Sequence, residues 1–561
     1  MMSDRLENKE KPKCSIQEAE EQGSKQSMNG GNGLSALCDS AFKGEQHNDM
    51  PPSHMSRRAF VGLGAAAALA AMTGLSLAGC GGSGPAKGNG TVLRVGVVSL
   101  SDADALDPAK ASTPGGYIFA NQVFDTLTEF DTTGAWAVRL AESIKQGETA
   151  DTWTIVLKDA KWHNDKPVTA QDVVYTVKRW FDEKLPPAES LSYIKADAIK
   201  ALDEKTVEFK LSQEVVMFPE ALASPLCGIV PQGFDPKNPV GSGPFLYDTV
   251  DAGVQMTFKA FDGYWGTVAQ AEELMITSFT DTNAEANALL AGQIDVAANF
   301  DSTLVSLIEG AEGYEIFDYP TSGALSWAMN CEKKPFDDPI VRSALRLAVN
   351  RQEIIDNVYG GFATLGNDYW SPYDPNYTKG LAQRSYDPAK AKKMLEDTGY
   401  TLPLKIELWG APNQPTSDRQ NEILVEQAKA AGFEVEFHKV DMATFYGDAY
   451  GTYPLSLSYW GYLSVFDQAA MTITKDAPYN STHWTDREYD GLYTEAVGTT
   501  DAAKRKELVK QMQTIEYERG SYIVPLFMNT LVAHSAKVGG FKPYPNTDGA
   551  IGYNFNLLTI S

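Results

Sequence analysis

Short strands alternating with amphipathic helices predict an α/β fold for this chain. Two stretches carry the prediction: a pair of period-2 strands flanking a capped helix between residues 153 and 211, and a strand, helix and strand at βαβ spacing between 404 and 437. Bulk supports it. The roughly 470 residues beyond position 90, in a chain that is 43% apolar and 11% aromatic, suffice for two or three domains with large cores.

Residues 92–98 form a near-continuous apolar run, as expected of a strand covered on both faces. Trp153, Ile155 and Leu157 alternate with polar neighbours, as do Val207, Phe209 and Leu211, which suits strands with one wet face. Between them Thr169 opens a helix, with Asp172 in capping-box position and Val173, Val177, Trp180 and Phe181 on one stripe. Asp338-Pro339 starts a helix expected to turn Ile340, Ala344, Leu345, Ala348 and Val349 inward, and Asp387-Pro388 starts another that Gly399 stops. A strand over 404–408, a helix over 418–431 ended by Gly432 and a strand over 433–437 complete the βαβ unit.

Ahead of this lies an export signal. Ser56-Arg57-Arg58 precedes 21 uncharged residues, 59–79, that end at Leu77-Ala78-Gly79-Cys80. The layout resembles a bacterial lipoprotein signal with twin-arginine character, in which Cys80 becomes the lipidated N-terminus, and residues 81–90 form a Gly-rich tether. The alternative is a transmembrane helix, since about 20 apolar residues span a bilayer. Either reading places the remainder outside the cytoplasm. Residues 1–54 are polar and unpatterned, as disordered segments are, and a start at Met50 or Met55 would leave them as an extension.

The first eighty residues hold 8 of the 48 basic and 9 of the 73 acidic residues, leaving 40 and 64 beyond them. Such an acidic body makes nucleic acid an unsuitable partner. Cys227 and Cys331 are the cysteines beyond Cys80; they form one disulfide or stay as two buried thiols. His163, His438, His483 and His534 are isolated, and neither HExxH, GxSxG nor a P-loop occurs. The GxGxxG formed by Gly79, Gly81 and Gly84 follows a signal rather than a strand, so it is no dinucleotide fingerprint. Neither a directly ligated metal, a cofactor nor catalysis is expected.

Several motifs in order carry a resemblance: Val123-Phe124-Asp125-Thr126-Leu127, Trp162-His163-Asn164-Asp165-Lys166-Pro167-Val168, Gly241-Ser242-Gly243-Pro244-Phe245, Gly263-Tyr264-Trp265-Gly266, Ala291-Gly292-Gln293-Ile294-Asp295 and Pro335-Phe336-Asp337-Asp338-Pro339. From about residue 92 to 545 the chain resembles the family 5 extracellular solute-binding proteins, the oligopeptide-, dipeptide- and nickel-binding components of ABC importers. The resemblance implies a two-lobed, type II periplasmic-binding-protein-like α/β fold with an inserted subdomain, closing on its ligand by hinge motion. It places lobe I at 91–125, 240–325 and 520–561, the inserted subdomain at 126–239 and lobe II at 326–519. Most of the motif residues are expected to shape the fold, Gly241 and Gly243 at close backbone approaches and Trp265 and Phe336 as core anchors.

The same resemblance implies a monomer, lipid-anchored to the outer face of the membrane, that hands a small solute, most simply a peptide, to ABC permease subunits. A ligand-sensing receptor and a binder of a metal chelate or apolar cofactor are the alternatives. Family position makes Thr113, Pro114 and Gly115, Met442 and Tyr446, and Tyr459, Trp460, Gly461 and Tyr462 the candidate cleft wall. Peptide-binding members carry an amine-binding Asp three residues after the Trp. This chain has Leu463 there; its nearest carboxylate, Asp467, is the candidate for that role with the loop realigned, against a solvated or helix-capping carboxylate.

Overall fold

The computed structural model describes residues 91–98, 100–101, 106–547 and 549–561. The export signal, Cys80 and the tether lie outside the described residues.

Three sheets organise the chain. The largest has eight strands and runs Tyr314–Pro320, Leu526–Ser535, Val296–Phe300, Val92–Val98, Glu273–Phe279, Gln255–Ala260 and Phe245–Asp251, with Ala363–Leu365 paired to the start of Leu526–Ser535. Val92–Val98 is central and parallel to both neighbours. Leu93, Val95, Gly96 and Val97 are buried and Val92, Arg94 and Val98 half-buried, as in a strand covered on both faces. The second sheet has five strands in the order Phe433–Lys439, Leu404–Gly410, Leu455–Trp460, Ala324–Met329 and Tyr522–Ile523. A third, of four strands, lies within residues 141–210.

The expected elements follow from local chemistry. The Asp172 carboxylate accepts from Thr169 N at 2.9 Å, closing one arm of the capping box on helix Ala170–Asp182. That helix buries Val173, Val177 and Trp180 against Trp153, Ile155, Val207 and Phe209, the inward residues of the two alternating strands. Each large apolar side chain buried this way contributes about 1.5–3 kcal/mol. Asp338 caps helix Pro339–Leu347 by accepting from Ile340 N at 2.8 Å, and Asp387 caps Pro388–Asp397. One inward assignment is corrected here: Ile340 is exposed and Val341 is buried in its place. In this helix the third residue, Val341, and not the second meets the core. Leu404–Gly410 and Phe433–Lys439 pair in parallel across helix Ser417–Ala430, and Gly432, at φ +86°, makes the tight return between helix and strand.

The motif glycines have a steric basis. A Cβ on Gly241 would sit 1.7 Å from the Val123 carbonyl oxygen, and one on Gly243 would sit 2.6 Å from that of Gln122. This close approach brings three of the motifs, together with Arg139, onto one carboxylate. Fully buried Asp125 accepts from Arg139 Nε at 2.9 Å, Ser242 Oγ at 3.0 Å, Tyr264 Oη at 3.1 Å and Trp265 Nε1 at 2.8 Å. Trp265 is half-buried and anchors through that indole bond as much as through packing. Phe336 is fully buried. Cys227 and Cys331 are both free thiols, and burial pushes the Cys227 thiol up to about 12.

Candidate functional site

Two short segments connect the largest sheet to the second. The chain leaves at 321–323, between strands Tyr314–Pro320 and Ala324–Met329, and returns at 524–525, between Tyr522–Ile523 and Leu526–Ser535; between the two, Ala363–Leu365 pairs with Leu526–Met528 just past the return. The crossings are tied together: Thr321 Oγ1 donates to the Met528 carbonyl at 2.7 Å, and Met528 N donates to that of Gly323 at 2.8 Å. The return is clamped by Asp368, whose carboxylate accepts from Val524 N at 3.2 Å and from Arg351 Nη2 at 2.7 and 2.8 Å. Burial opposes the Asp368 charge, but Arg351, Arg384 and Arg346 outweigh it and hold the carboxyl below its usual range. A pair of adjacent, well-anchored crossings is the geometry of a hinge.

Beside these crossings the turns flanking the 141–210 sheet meet the second lobe without any direct chain connection between them. Phe130, at the end of strand Thr128–Phe130, packs edge-on against Tyr462 with ring centroids 5.4 Å apart. Met217 packs into the core around Trp460, Phe466 and Tyr489. Asn546, almost fully buried, joins all three bodies: its amide donates to the carbonyls of Gly134 and, at 3.2 Å, of Tyr373, and its oxygen accepts from Ser322 Oγ at 3.4 Å.

The expected wall residues fall into three places. Thr113 caps helix Pro114–Val123 in the first lobe, its Oγ1 accepting from Gly116 N at 3.2 Å, with Pro114 exposed and Gly115 buried. Tyr459 and Trp460 end the strand Leu455–Trp460, which pairs antiparallel with Ala324–Met329 just past the hinge, and Gly461 and Tyr462 follow it. Trp460 is only 7% exposed, its indole donating to Ser458 Oγ at 3.0 Å, so most of its ring belongs to the core; Tyr459, Gly461 and Tyr462 are half-exposed. Met442 and Tyr446 pack instead with Phe445, Trp409 and Tyr453, where Tyr446 Oη is 2.6 Å from Asn413 Nδ2.

Leu463 packs beside the Trp460 core, and its carbonyl accepts from Ser371 Oγ at 2.8 Å. Asp467 sits in the first turn of helix Val465–Gln468, which Ser464 caps by accepting from Asp467 N at 3.1 Å. The Asp467 carboxyl is 2.8 Å from Ser464 Oγ. Phe130, Asp374 and Asn546 were not singled out in the sequence. Phe130 meets Tyr462, Asp374 meets Val465 and Asn546 meets Gly134, 91 to 412 positions apart, and no local pattern marks such pairings.

His163 spends its ring on the fold, with Nε2 3.0 Å from the Gly243 carbonyl and Nδ1 accepting from Gly241 N at 3.3 Å. A surface depression of about 530 Å³ on the second lobe is lined by Lys334, Pro335, Asp337, Tyr400 and Lys405 and by none of the expected wall residues. Among the described residues no helix is long and apolar enough to cross a membrane.

Two α/β lobes on a double-crossing hinge, with a subdomain from the first lobe meeting the second, define a two-lobed binding protein. Residues 136–482 match the model for bacterial extracellular solute-binding proteins, family 5, and the chain belongs to that family. It is 29% identical to the dipeptide-binding protein of Pseudomonas aeruginosa over 483 residues, covering 78% of this chain and 90% of the relative. It is 30% identical to di/tripeptide-binding protein 1 of another Pseudomonas aeruginosa strain over 471 residues, covering 76% and 86%. The crystal structure of the ABC transporter substrate-binding protein CtaP from Listeria monocytogenes superposes with a TM-score of 0.74 at 23% identity, covering 84% of this chain and 99% of that one.

Proposed function

We propose that this solute-binding protein captures a short peptide of two or three residues between its lobes and delivers it to an ABC permease at the outer face of the membrane, anchored there through Cys80. The observation that carries the reading is the contact of Phe130 with Tyr462 between two bodies that share no direct chain connection, beside the pair of crossings that join the lobes. The face around that contact opens for a solute and excludes water when shut, which strengthens every polar contact inside and slows release. Relatives named for dipeptides and di- and tripeptides, aligned over three quarters of the chain, support the ligand class.

Thr113, Pro114 and Gly115 from one lobe and Tyr459, Gly461 and Tyr462 from the other supply the wall. Aromatic faces bury varied side chains while backbone groups read the peptide's invariant parts. Leu463 leaves the amine-binding position of the peptide-type pattern uncharged, so the proposal assigns part of that work to backbone carbonyls. Asp467 belongs to the closing face. No step requires a bond to be made or broken, and the protein acts as a monomeric receptor rather than an enzyme.

Tyr462 is the residue to test, since truncating core-packed Trp460 would open a cavity and cost about 3–5 kcal/mol of stability whatever its role. Calorimetric titration of the full chain with a panel of di- and tripeptides is expected to give saturable heat that Tyr462→Ala weakens at least tenfold at unchanged melting temperature. Full affinity in that variant would remove Tyr462 from the site, and no heat with any peptide would overturn the ligand class.

A further inference from the structure

Helix Ala502–Arg519 lies against the segment 374–380, and one side chain fixes how the two meet. Gln513 Oε1 accepts from Thr378 N at 2.7 Å, and Gln513 Nε2 donates to the Trp370 carbonyl at 3.0 Å. At 3.6 residues per turn, Lys506, Lys510 and Gln513 share one helix face within about 60°. Pinning Gln513 to the segment therefore turns both lysines toward it. Between the two elements lies a cleft of about 400 Å³, with Lys506 and Lys510 on one side and Tyr377, Thr378 and Lys379 on the other. That volume falls within the range of about 300–1,000 Å³ typical of small-molecule sites. The Tyr377 ring stacks on Tyr369 with centroids 5.0 Å apart, which holds its side of the cleft in place.

The charge in the cleft is unbalanced. Its three lysines face one carboxylate, Glu507, which Lys510 already engages at 3.3 Å. Among the described residues neither Lys379 nor Lys506 has a carboxylate partner, whereas Lys504, on the same helix but outside the cleft, pairs with Glu495 at 2.7 Å. This gathering of cations runs against a chain whose acidic residues outnumber its basic ones, 73 to 48. Like charges around one cleft repel until an anion enters it. Thr378 supplies a second, independent sign. It is 4% exposed, its N–H is spent on Gln513 and its carbonyl accepts from Tyr369 Oη at 3.0 Å, yet its hydroxyl is buried without a partner. Buried hydroxyls are ordinarily hydrogen-bonded, and an oxyanion seated beside Thr378 gives this one an acceptor.

We propose that this cleft is a binding site for a phosphate group, held by Lys379, Lys506 and Lys510 and, at its floor, by the Thr378 hydroxyl. Lysine binds phosphate as a point charge on a flexible stem. A phosphate monoester brings about 1.5 to 2 negative charges and three acceptor oxygens, which suits three ammonium groups and a hydroxyl better than a single carboxylate does. Two sources present such a group, a soluble phosphate ester and the headgroup of an anionic phospholipid. The cleft contains none of the wall residues assigned to the peptide, so the two sites are occupied independently.

Calorimetric titration of the full chain at low ionic strength tests this with three probes: inorganic phosphate, glycerol 3-phosphate, and dihexanoylphosphatidylglycerol below its micelle concentration. Saturable heat is expected with at least one of them, weakened at least tenfold by Lys506→Glu and by Lys379→Glu, both at exposed side chains, and weakened also by added salt. Thr378→Val removes the hydroxyl and keeps the shape, so it is expected to lose affinity several-fold while its melting temperature without phosphate stays at or above the native value. Tighter binding of the soluble probes places the source in solution, and tighter binding of the lipid places it in the membrane. No saturable heat with any probe at millimolar concentration, or native affinity in either lysine variant, would overturn the proposal. Peptide binding is read with a different titrant and stands or falls separately.

Discussion

Replacing Asp125 with Ala removes one carboxylate from four donors at once. Arg139, 6% exposed, loses the partner 2.9 Å away that balances its charge. Burial works against the Arg139 charge, and Asp125 outweighs it to hold the guanidinium above its usual range. Breaking a buried ion pair from one side costs about 3–5 kcal/mol. Ser242, Tyr264 and Trp265 lose their acceptor as well, at about 1–3 kcal/mol for each donor left buried and unmet. These losses share one site and overlap rather than add, so a total near 5 kcal/mol is expected. Urea denaturation followed by tryptophan fluorescence measures it, because Trp162 and Trp180 are buried in the subdomain whose junction Asp125 holds. Asp125→Asn keeps an acceptor oxygen without the charge and should fall between native and Ala. A loss below about 1 kcal/mol for Asp125→Ala would refute the view that the four donors are held by this carboxylate.

Three further outcomes follow from buried groups. Burial raises the Glu285 carboxyl to about 8, with one oxygen lacking a partner, so native stability should fall by about 1.4 kcal/mol per pH unit from roughly 4.3 to 8; Glu285→Gln should flatten that slope, and parallel curves would contradict it. Gly241→Ala forces a methyl within 1.7 Å of the Val123 carbonyl oxygen and should cost about 3 kcal/mol or block folding, measured by thermal unfolding. The Cys227 thiol, 3% exposed and raised to about 12, should resist a thiol reagent at pH 8 until the subdomain unfolds, and rapid native labelling would show that the subdomain opens.

Much of the fold was legible because its signals are local. Thr169 with Asp172, Asp338 with Pro339, and Asp387 with Pro388 each announce a helix start within four residues, and Gly399 and Gly432 end helices at φ +85° and +86°. The strand–helix–strand between Leu404 and Lys439 needed only period and spacing. Ile340 escaped because a cap fixes where a helix begins more firmly than its rotation about the axis. The site was less legible. Tyr462 stood out as an aromatic beside Trp460, but its partner Phe130 lies more than 300 positions away. Sequence distance separates the two halves of any closing face, so pattern reading reaches each half and not their meeting.

A thermal-shift screen of the full chain against di- and tripeptides, free amino acids, sugars and metal chelates tests the central claim most directly, because a ligand bound only to the folded state raises the melting temperature with concentration. At a hundred times its dissociation constant a short peptide should add about 2.7 kcal/mol, a shift of several degrees that grows with the logarithm of concentration. A shift confined to a sugar or a chelate, or none with any peptide, would contradict the account of a peptide receptor.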